Sequence, residues 1–300
     1  EQSGFSSSLQ NIGQMRNTGV ELSVSAANLR LGKLKGVVNG NISFNNNKVL
    51  ALAPGQTQIF SGSQSNIITK VGDPVAVFYG YQVTGVFKTQ EELNRLPKLP
   101  GTLLGDYIVK DENGDGAIDQ KDWVPMGKYL PKFTYGFNSS LEYRNLQLSL
   151  SIVGVEGRKV FENNFATREE SGEGFAMPTK YYFSNRYHPV NNPDGFLAQP
   201  NFGNFSANRR AVRASDLFTY DADFVRLRDA QLAYNISGSW LKKLGISRAK
   251  VYVSANNLLT ITKFRGYNPE ATTNSVLTSG QSTSNYPVAR TYLVGCNIQF

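Results

Sequence analysis

Apolar and polar residues alternate with a period of two in several stretches of the chain. In the clearest, residues 133–143 (FTYGFNSSLEY), every odd position except Ser139 is aromatic or aliphatic, whereas the even positions are polar or small. Such alternation places successive side chains on opposite faces of a β-strand. This stretch is therefore predicted to be a strand with one polar face and one apolar face that ends in aromatic residues.

Six further stretches show the same alternation. At 147–152, leucine and isoleucine occupy one face and glutamine and serine the other, and the short turn at 144–145 predicts a hairpin with the preceding strand. The other five stretches are 20–26, 38–44, 224–236, 250–262 and 291–300. The pattern predicts about seven strands and an all-β fold.

The predicted connections between these strands alternate in length. The short connections are 30–34, 144–147 and 237–248, and the long ones are about 48–132, 162–222 and 264–290. Bacterial outer-membrane barrels have short periplasmic turns, long extracellular loops, lipid-facing apolar residues and lumen-facing polar ones. The chain is therefore predicted to supply part of a large antiparallel transmembrane β-barrel with long extracellular loops.

Seven strands do not close such a barrel. Bacterial barrels have even numbers of strands, and an open strand edge in lipid leaves backbone groups without hydrogen bonds. We therefore expect the remaining strands to come from an N-terminal portion that is absent here. The chain begins at Glu1 without a signal peptide, which is expected of a piece of a longer protein.

A soluble sandwich or barrel also has alternating strands and turns. Two features favour the membrane barrel. Loops of about 60 to 85 residues at one end are uncommon in compact soluble domains, and aromatic residues recur at strand ends, where membrane barrels carry aromatic girdles.

Composition agrees with a barrel. The chain has 18 Phe and 15 Tyr but only 3 Met and 12 Pro, a balance that favours strands and turns over helices. Mean hydropathy is negative, and no stretch approaches the roughly 20 continuous apolar residues of a membrane helix. A barrel strand crosses the membrane with about 9–11 residues and exposes only every second one to lipid, so a hydropathy average along the chain does not detect it.

The charged and reactive residues indicate neither nucleic-acid binding nor catalysis. The formal charge is +8, but the 31 Lys and Arg residues are scattered. The densest cluster, Arg209, Arg210 and Arg213, is interpreted as a solvated or lipopolysaccharide-facing loop, with substrate binding as the alternative; the Glu169-Glu170 pair is likewise interpreted as solvated. Cys296 is the only cysteine and His188 the only histidine. They form no nucleophile or zinc signature. No enzyme activity is predicted.

The clearest metal motif lies at 111–122 (DENGDGAIDQKD), with oxygen-bearing side chains at loop positions 1, 3, 5, 9 and 12 and glycine at position 6. This is the spacing of a calcium loop. The predicted ligands are Asp111, Asn113, Asp115, the Ala117 carbonyl, Asp119 (directly or through water) and Asp122. Asp122 replaces the usual, longer Glu, which predicts weaker affinity. A metal-free turn is the alternative; either role is structural.

Aromatic residues and an arginine are concentrated at 181–187 (YYFSNRY), in the second long loop. This composition suits stacking on sugar faces or gripping a peptide. The candidate substrate contacts are Tyr181, Tyr182, Arg186 and Tyr187, together with Tyr79 and Tyr81. Packing within the loops, or contact with a partner protein that covers them, is the alternative.

The chain resembles SusC/RagA-type TonB-dependent transporters. Seven blocks carry the resemblance: NIGQMRNTGVEL at 11–22, VGDP at 71–74 with FYGYQVTGVF at 78–87, the Asp-rich stretch at 111–122, PKFTYGF at 131–137, FVRLRDAQLAY at 224–234, LGISRAKVYVSANNL at 244–258, and PVARTY at 287–292 with the terminal Phe300. The blocks follow the family's order and leave chiefly 51–70 and 163–214 unmatched.

The resemblance implies that residues 1–300 form the C-terminal third of a 22-stranded barrel filled by an N-terminal plug. Such a protein spans the Gram-negative outer membrane many times and imports oligosaccharides or peptides with energy relayed by TonB. A SusD-like surface lipoprotein usually covers it. The plug and the TonB-contacting segment are missing from this sequence.

A second hypothesis is a soluble or surface calcium-binding β-domain that acts as an adhesin or lectin, using the same aromatic residues and calcium loop. Such a domain is expected to fold in water without detergent, whereas a barrel piece needs lipid and partner strands.

Overall fold

A computed structural model of the chain describes residues 13–172, 176–201, 206–283 and 286–300. Asn11 and Ile12, in the first block of the family resemblance, lie outside these ranges. The strands are β1 (Gln14–Leu31), β2 (Leu34–Ala51), β3 (Gln58–Ser61), β4 (Ile67–Lys70), β5 (Val77–Gly80), β6 (Val83–Val86), β7 (Tyr107–Val109), β8 (Val124–Lys128), β9 (Phe133–Tyr143), β10 (Leu146–Glu156), β11 (Lys159–Glu162), β12 (Thr219–Asp221), β13 (Phe224–Ile236), β14 (Arg248–Thr262), β15 (Gln281–Ser282) and β16 (Thr291–Gln299).

Helices are short. The α-helices are α1 (Gln90–Arg95), α2 (Lys180–Asn185), α3 (Ala207–Val212) and α4 (Ser239–Lys243); single 3-10 turns span Gln120–Asp122, Asp216–Phe218 and Val276–Thr278, and a π-helical turn spans Phe165–Glu169. No helix in the described ranges is both long and apolar enough to cross a membrane.

Seven strands form one antiparallel sheet in the order β1-β2-β9-β10-β13-β14-β16. They are the seven strands predicted from the alternation, and the all-β prediction is confirmed. The three short turns join β1 to β2, β9 to β10, and β13 to β14. In the first of these turns Gly32 adopts φ +61°, a left-handed conformation that glycine takes without steric cost.

Strand register places apolar side chains next to one another on one face of the sheet. Leu148 lies opposite both Leu141 and Leu232, Leu232 lies opposite Val253, and Val253 lies opposite Val294. This row crosses five strands, and Val253 and Val294 are 50% and 82% exposed. Because nothing else in the described chain covers the row, the sheet presents a continuous apolar surface.

The opposite face is polar and is tied together by hydrogen bonds between strands. Gln147 on β10 donates to the Ser140 hydroxyl on β9 at 3.0 Å and accepts from the Lys250 ammonium on β14 at 3.0 Å. Ser43 on β2 donates to Glu21 on β1 at 3.1 Å. The sheet therefore separates an apolar outer face from a polar inner face, which we call the luminal face.

The described parts of the long connections fold together into what we call the loop domain, residues 52–132, 157–172, 176–201, 206–223, 263–283 and 286–290. It holds three smaller sheets, in the orders β3-β4-β5-β8, β6-β7 and β12-β11-β15. Its main cores combine separate connections: buried Phe78 from the first packs with Phe161, Phe165 and Phe218 from the second. The hydrophobic core of the chain therefore lies chiefly at one end of the sheet, in the loop domain.

Candidate functional site

The loop at 111–122 is organised by hydrogen bonds from its own backbone. Asp111 accepts from the N–H groups of Gly114 at 2.7 Å and Gly116 at 2.8 Å, and Asp115 accepts from that of Ala117 at 2.9 Å. Both glycines have positive φ, +73° and +83°, which lets the chain turn sharply enough to bring these N–H groups to the carboxylates.

Asp122 closes the same loop. Its side chain is fully buried, and its two oxygens accept from the N–H groups of Glu112 at 2.9 Å and Asp119 at 2.8 Å. Asp119 in turn accepts from the Lys121 N–H at 2.7 Å, while the Asn113 amide donates to Asp115 at 3.1 Å. Asp122 thus holds the two ends of the loop together.

These hydrogen bonds account for the loop without a metal. Each carboxylate oxygen has two lone pairs, so the bonds described leave acceptor capacity for an ion on the predicted ligands. Over the part of the chain that the structure describes, however, no three or more His, Cys, Asp or Glu side chains cluster closely enough to hold a metal. Calcium binding stays a prediction.

Three of the six predicted substrate contacts lie in one buried cluster. Tyr81, Tyr182 and Tyr187 are only 4%, 2% and 8% exposed. The Tyr182 hydroxyl donates to the Ala198 carbonyl at 2.8 Å, and burial raises its pKa to about 12. Tyr81 meets the edge of the Trp123 ring. These rings pack the loop domain, so a ligand at its surface does not reach them in this conformation.

The other three predicted contacts remain nearer the surface. Tyr181 is 39% exposed, and the Arg265 guanidinium lies 3.4 Å from its ring centroid. Arg186 stacks on Phe183 at 3.9 Å. The Tyr79 hydroxyl is 3.4 Å from an Asp73 carboxylate oxygen, and burial raises the pKa of Tyr79 above its ordinary value. The structure therefore does not gather the six residues into one site.

Buried charges join separate connections, and sequence reasoning missed them. Arg209 donates to Asp106 at 2.7 Å, with both side chains at most 1% exposed. Glu170 is also buried and accepts from Arg265 at 2.7 Å and from the Thr179 hydroxyl at 2.6 Å. The interpretation of Arg209 and Glu170 as solvated is wrong, because each finds its partner in a different connection about a hundred residues away in sequence.

A cavity of about 390 Å³ lies between the luminal face and the loop domain, and we call it the wall cavity. Asn17 on β1 and Asn45 and Asn47 on β2 line one side, and Tyr129 and Leu130 from the first connection line another. None of its fourteen lining residues is charged. Sequence analysis missed the cavity because its parts lie on three strands and two connections.

A two-faced antiparallel sheet, with its core gathered at one end in long connections, defines part of the wall of a membrane β-barrel. No family model matches the chain. It is 31% and 30% identical to the TonB-dependent receptors P3 and P26 of Formosa agariphila, covering all of this chain and 30% of each receptor. It is 24% identical to the TonB-dependent receptor SusC of Bacteroides thetaiotaomicron, over 97% of this chain and 27% of that receptor.

The fold agrees with these relatives. The chain superposes on the structure of the RagAB peptide transporter with a TM-score of 0.75 at 21% identity, and on the open-open RagAB peptide importer with 0.71 at 23%, covering all of this chain and 30% of each. These matches confirm, along the whole chain, the resemblance to SusC/RagA-type TonB-dependent receptors that the sequence indicated. The chain spans about 30% of the length of the receptors P3 and P26.

Proposed function

We propose that this chain forms barrel wall and extracellular loops of an outer-membrane transporter that imports nutrient oligomers, either oligosaccharides or peptides. The observation that carries the proposal is the two-faced sheet. Its apolar row is suited to lipid, and its polar face, tied by hydrogen bonds such as Gln147 to Ser140, is suited to a water-filled lumen. The relatives are named as receptors and importers, which agrees with a role other than catalysis.

The proposal divides the work between this chain and the rest of the protein. The chain crosses the Gram-negative outer membrane several times and supplies wall and loops. An N-terminal portion supplies the plug, the remaining strands and the contact with TonB. A SusD-like surface lipoprotein covers the loop domain from outside. The resemblance to the family supports these partners. The open sheet supports the remaining strands, because its end strands β1 and β16 need neighbours in lipid.

The proposal includes a structural calcium ion in the loop at 111–122. Asp111, Asn113, Asp115, the Ala117 carbonyl, Asp119 and Asp122 would hold it, because a hard cation takes six to eight oxygen ligands. The ion would offset the negative charge of the carboxylates in this loop and order the loop. The spacing of the oxygens supports this part of the proposal.

The adhesin or lectin hypothesis is less well supported. A soluble domain has to cover its apolar surface, since large exposed apolar patches on soluble proteins cause association. Here Val20, Leu22, Val24, Val253 and Val294 are all at least 50% exposed. Lipid accounts for this exposure without a further partner.

A gene deletion tests the proposed function. The deletion strain is grown on separate oligosaccharide and peptide pools, and their depletion from the medium is followed by mass spectrometry. We expect one pool to persist unless the full-length receptor and TonB are both present, and the receptor to run as a compact, heat-modifiable band in the outer-membrane fraction. Unchanged depletion of every pool, or a chain that folds alone as a monomer in plain buffer, would refute the proposal.

A further inference from the structure

The wall cavity is built on paired asparagines of the luminal face. Asn17 on β1 lies directly opposite Asn47 on β2. Asn47 donates to the Asn17 side chain at 2.6 Å and accepts from the Val75 N–H at 2.8 Å. Asn47 is 4% exposed, and its hydrogen bonds connect the barrel wall to the loop domain.

Asn45, two residues earlier on the same face, is in a different position. Its side chain is exposed, and within the described ranges its amide makes no hydrogen bond to the rest of the chain. An amide offers two N–H donors and a carbonyl acceptor. Asn45 therefore presents unused donors and an unused acceptor at the cavity, whereas the neighbouring Asn47 is held by hydrogen bonds to Asn17 and Val75.

The lining selects against charge. The chain contains 31 Lys and Arg and 23 Asp and Glu residues, yet none of them lines this cavity. A carboxylate, sulfate or ammonium group bound there would lose part of its hydration without gaining a partner of opposite charge from the lining, which is unfavourable. The ligand that fits is uncharged.

The lining also favours a sugar over a peptide. Peptides that bind along sheets pair with a free strand edge. Of the strands that line the cavity, β2 and β9 are hydrogen-bonded on both edges, and under the proposed function a barrel strand from the rest of the protein fills the outer edge of β1. A sugar needs no such edge. Its hydroxyls both donate and accept, as the Asn45 amide does, and its C–H face suits the apolar wall formed by Tyr129, Leu130 and Pro131.

We propose that the wall cavity is a subsite for an uncharged sugar unit of the imported oligomer, with Asn45 as the residue that binds its hydroxyl groups. The proposal rests on the proposed function, import by the full-length receptor, and specifies its substrate class as neutral oligosaccharides.

The test compares matched variants of the full-length receptor. Asn45→Asp keeps the shape of the side chain but replaces both N–H donors with charge, and Asn45→Ala removes the amide. Asn41→Asp is the control, because Asn41 is exposed on the same face of the same strand but lies outside the cavity. Each receptor is purified in detergent and incubated with three pools: neutral oligosaccharides, uronate or sulfated oligosaccharides, and peptides. Retained species are measured by mass spectrometry.

We expect neutral oligosaccharides to be retained, retention to fall about tenfold in Asn45→Asp and several-fold in Asn45→Ala, and the control to match the unmodified receptor. The heat-modifiable band checks that every variant is folded. Retention of acidic oligosaccharides or peptides alone, or of neutral ones equally by all variants, overturns the subsite while leaving import intact. The proposed import function is refuted by a separate result, which is that the deletion strain still depletes every pool.

Discussion

Glu162 makes the stability of the loop domain depend on pH. Its side chain is fully buried at the end of β11, opposite Ser282 on β15. Burial raises the pKa of the carboxyl group from 4.5 to about 7. The nearby Glu169 and Glu170 raise it further, while the Ser282 side chain and the Asn164 backbone oppose the shift.

The direction of this pH dependence follows from proton linkage. The folded loop domain binds this proton more tightly than an opened one, so the stabilisation is complete below about pH 4.5 and is lost as the pH rises through about 7. At 1.36 kcal/mol for each pKa unit, the shift from 4.5 to about 7 corresponds to about 3 kcal/mol. We therefore expect the free energy of opening around β11 to fall by up to this amount between pH 5 and 8.

Glu162→Gln isolates the effect, because glutamine keeps the shape but does not titrate. The opening free energy is obtained from hydrogen exchange of the full-length receptor, measured by mass spectrometry on peptides from 159–172 and 263–283. The exchange rates are corrected for the intrinsic pH dependence of exchange. We expect the opening free energy of Glu162→Gln to be independent of pH over this range. The control Glu91→Gln, which alters an exposed carboxylate of α1, is expected to keep the pH dependence of the unmodified receptor. Parallel profiles for Glu162→Gln and the unmodified receptor would refute the reasoning.

Three further predictions concern the buried ion pair, the calcium loop and the membrane face. Asp106→Asn leaves the Arg209 charge buried without its partner and is expected to cost about 3–5 kcal/mol, seen as faster proteolysis of the loop domain; an unchanged cleavage rate would contradict this. Calcium, but not magnesium, is expected to slow exchange at 111–122, and Asp115→Asn to weaken that effect; identical exchange with and without calcium would exclude the ion. Val253→Arg is expected to destabilise the barrel by about 2–4 kcal/mol near the middle of the bilayer, measured by urea titration of the heat-modifiable band, whereas Ser254→Arg on the luminal face is tolerated; equal losses would count against the assignment of faces.

The strands of the barrel wall could be predicted because their pattern is local. The predicted strand at 133–143 coincides with β9, since lipid on one side and water on the other impose period two on that stretch. The strand predicted at 20–26 extends to Gln14–Leu31. The first residues of this strand, at its end near the loop domain, are polar on both faces, as Asn17 and Thr18 show. Alternation therefore does not mark them as a strand.

The short strands of the loop domain could not be predicted in this way. Ile67, Ile68 and Thr69 of β4 are all buried, because the loop domain covers both faces of its sheets. A strand of four residues without alternation carries too little signal to separate it from a loop. Strands of this kind depend on contacts made by other connections.

The amino-acid sequence by itself determined the two-faced strands, the long connections and the family resemblance, because each rests on the spacing or identity of residues close together in the chain. Only the tertiary structure decided which loop residues are buried. Tyr181 and Tyr182 are neighbours in one aromatic stretch, yet one is 39% and the other 2% exposed. Asp106 and Arg209 form a buried pair across 103 positions. Burial depends on how distant connections pack together, which no local pattern records.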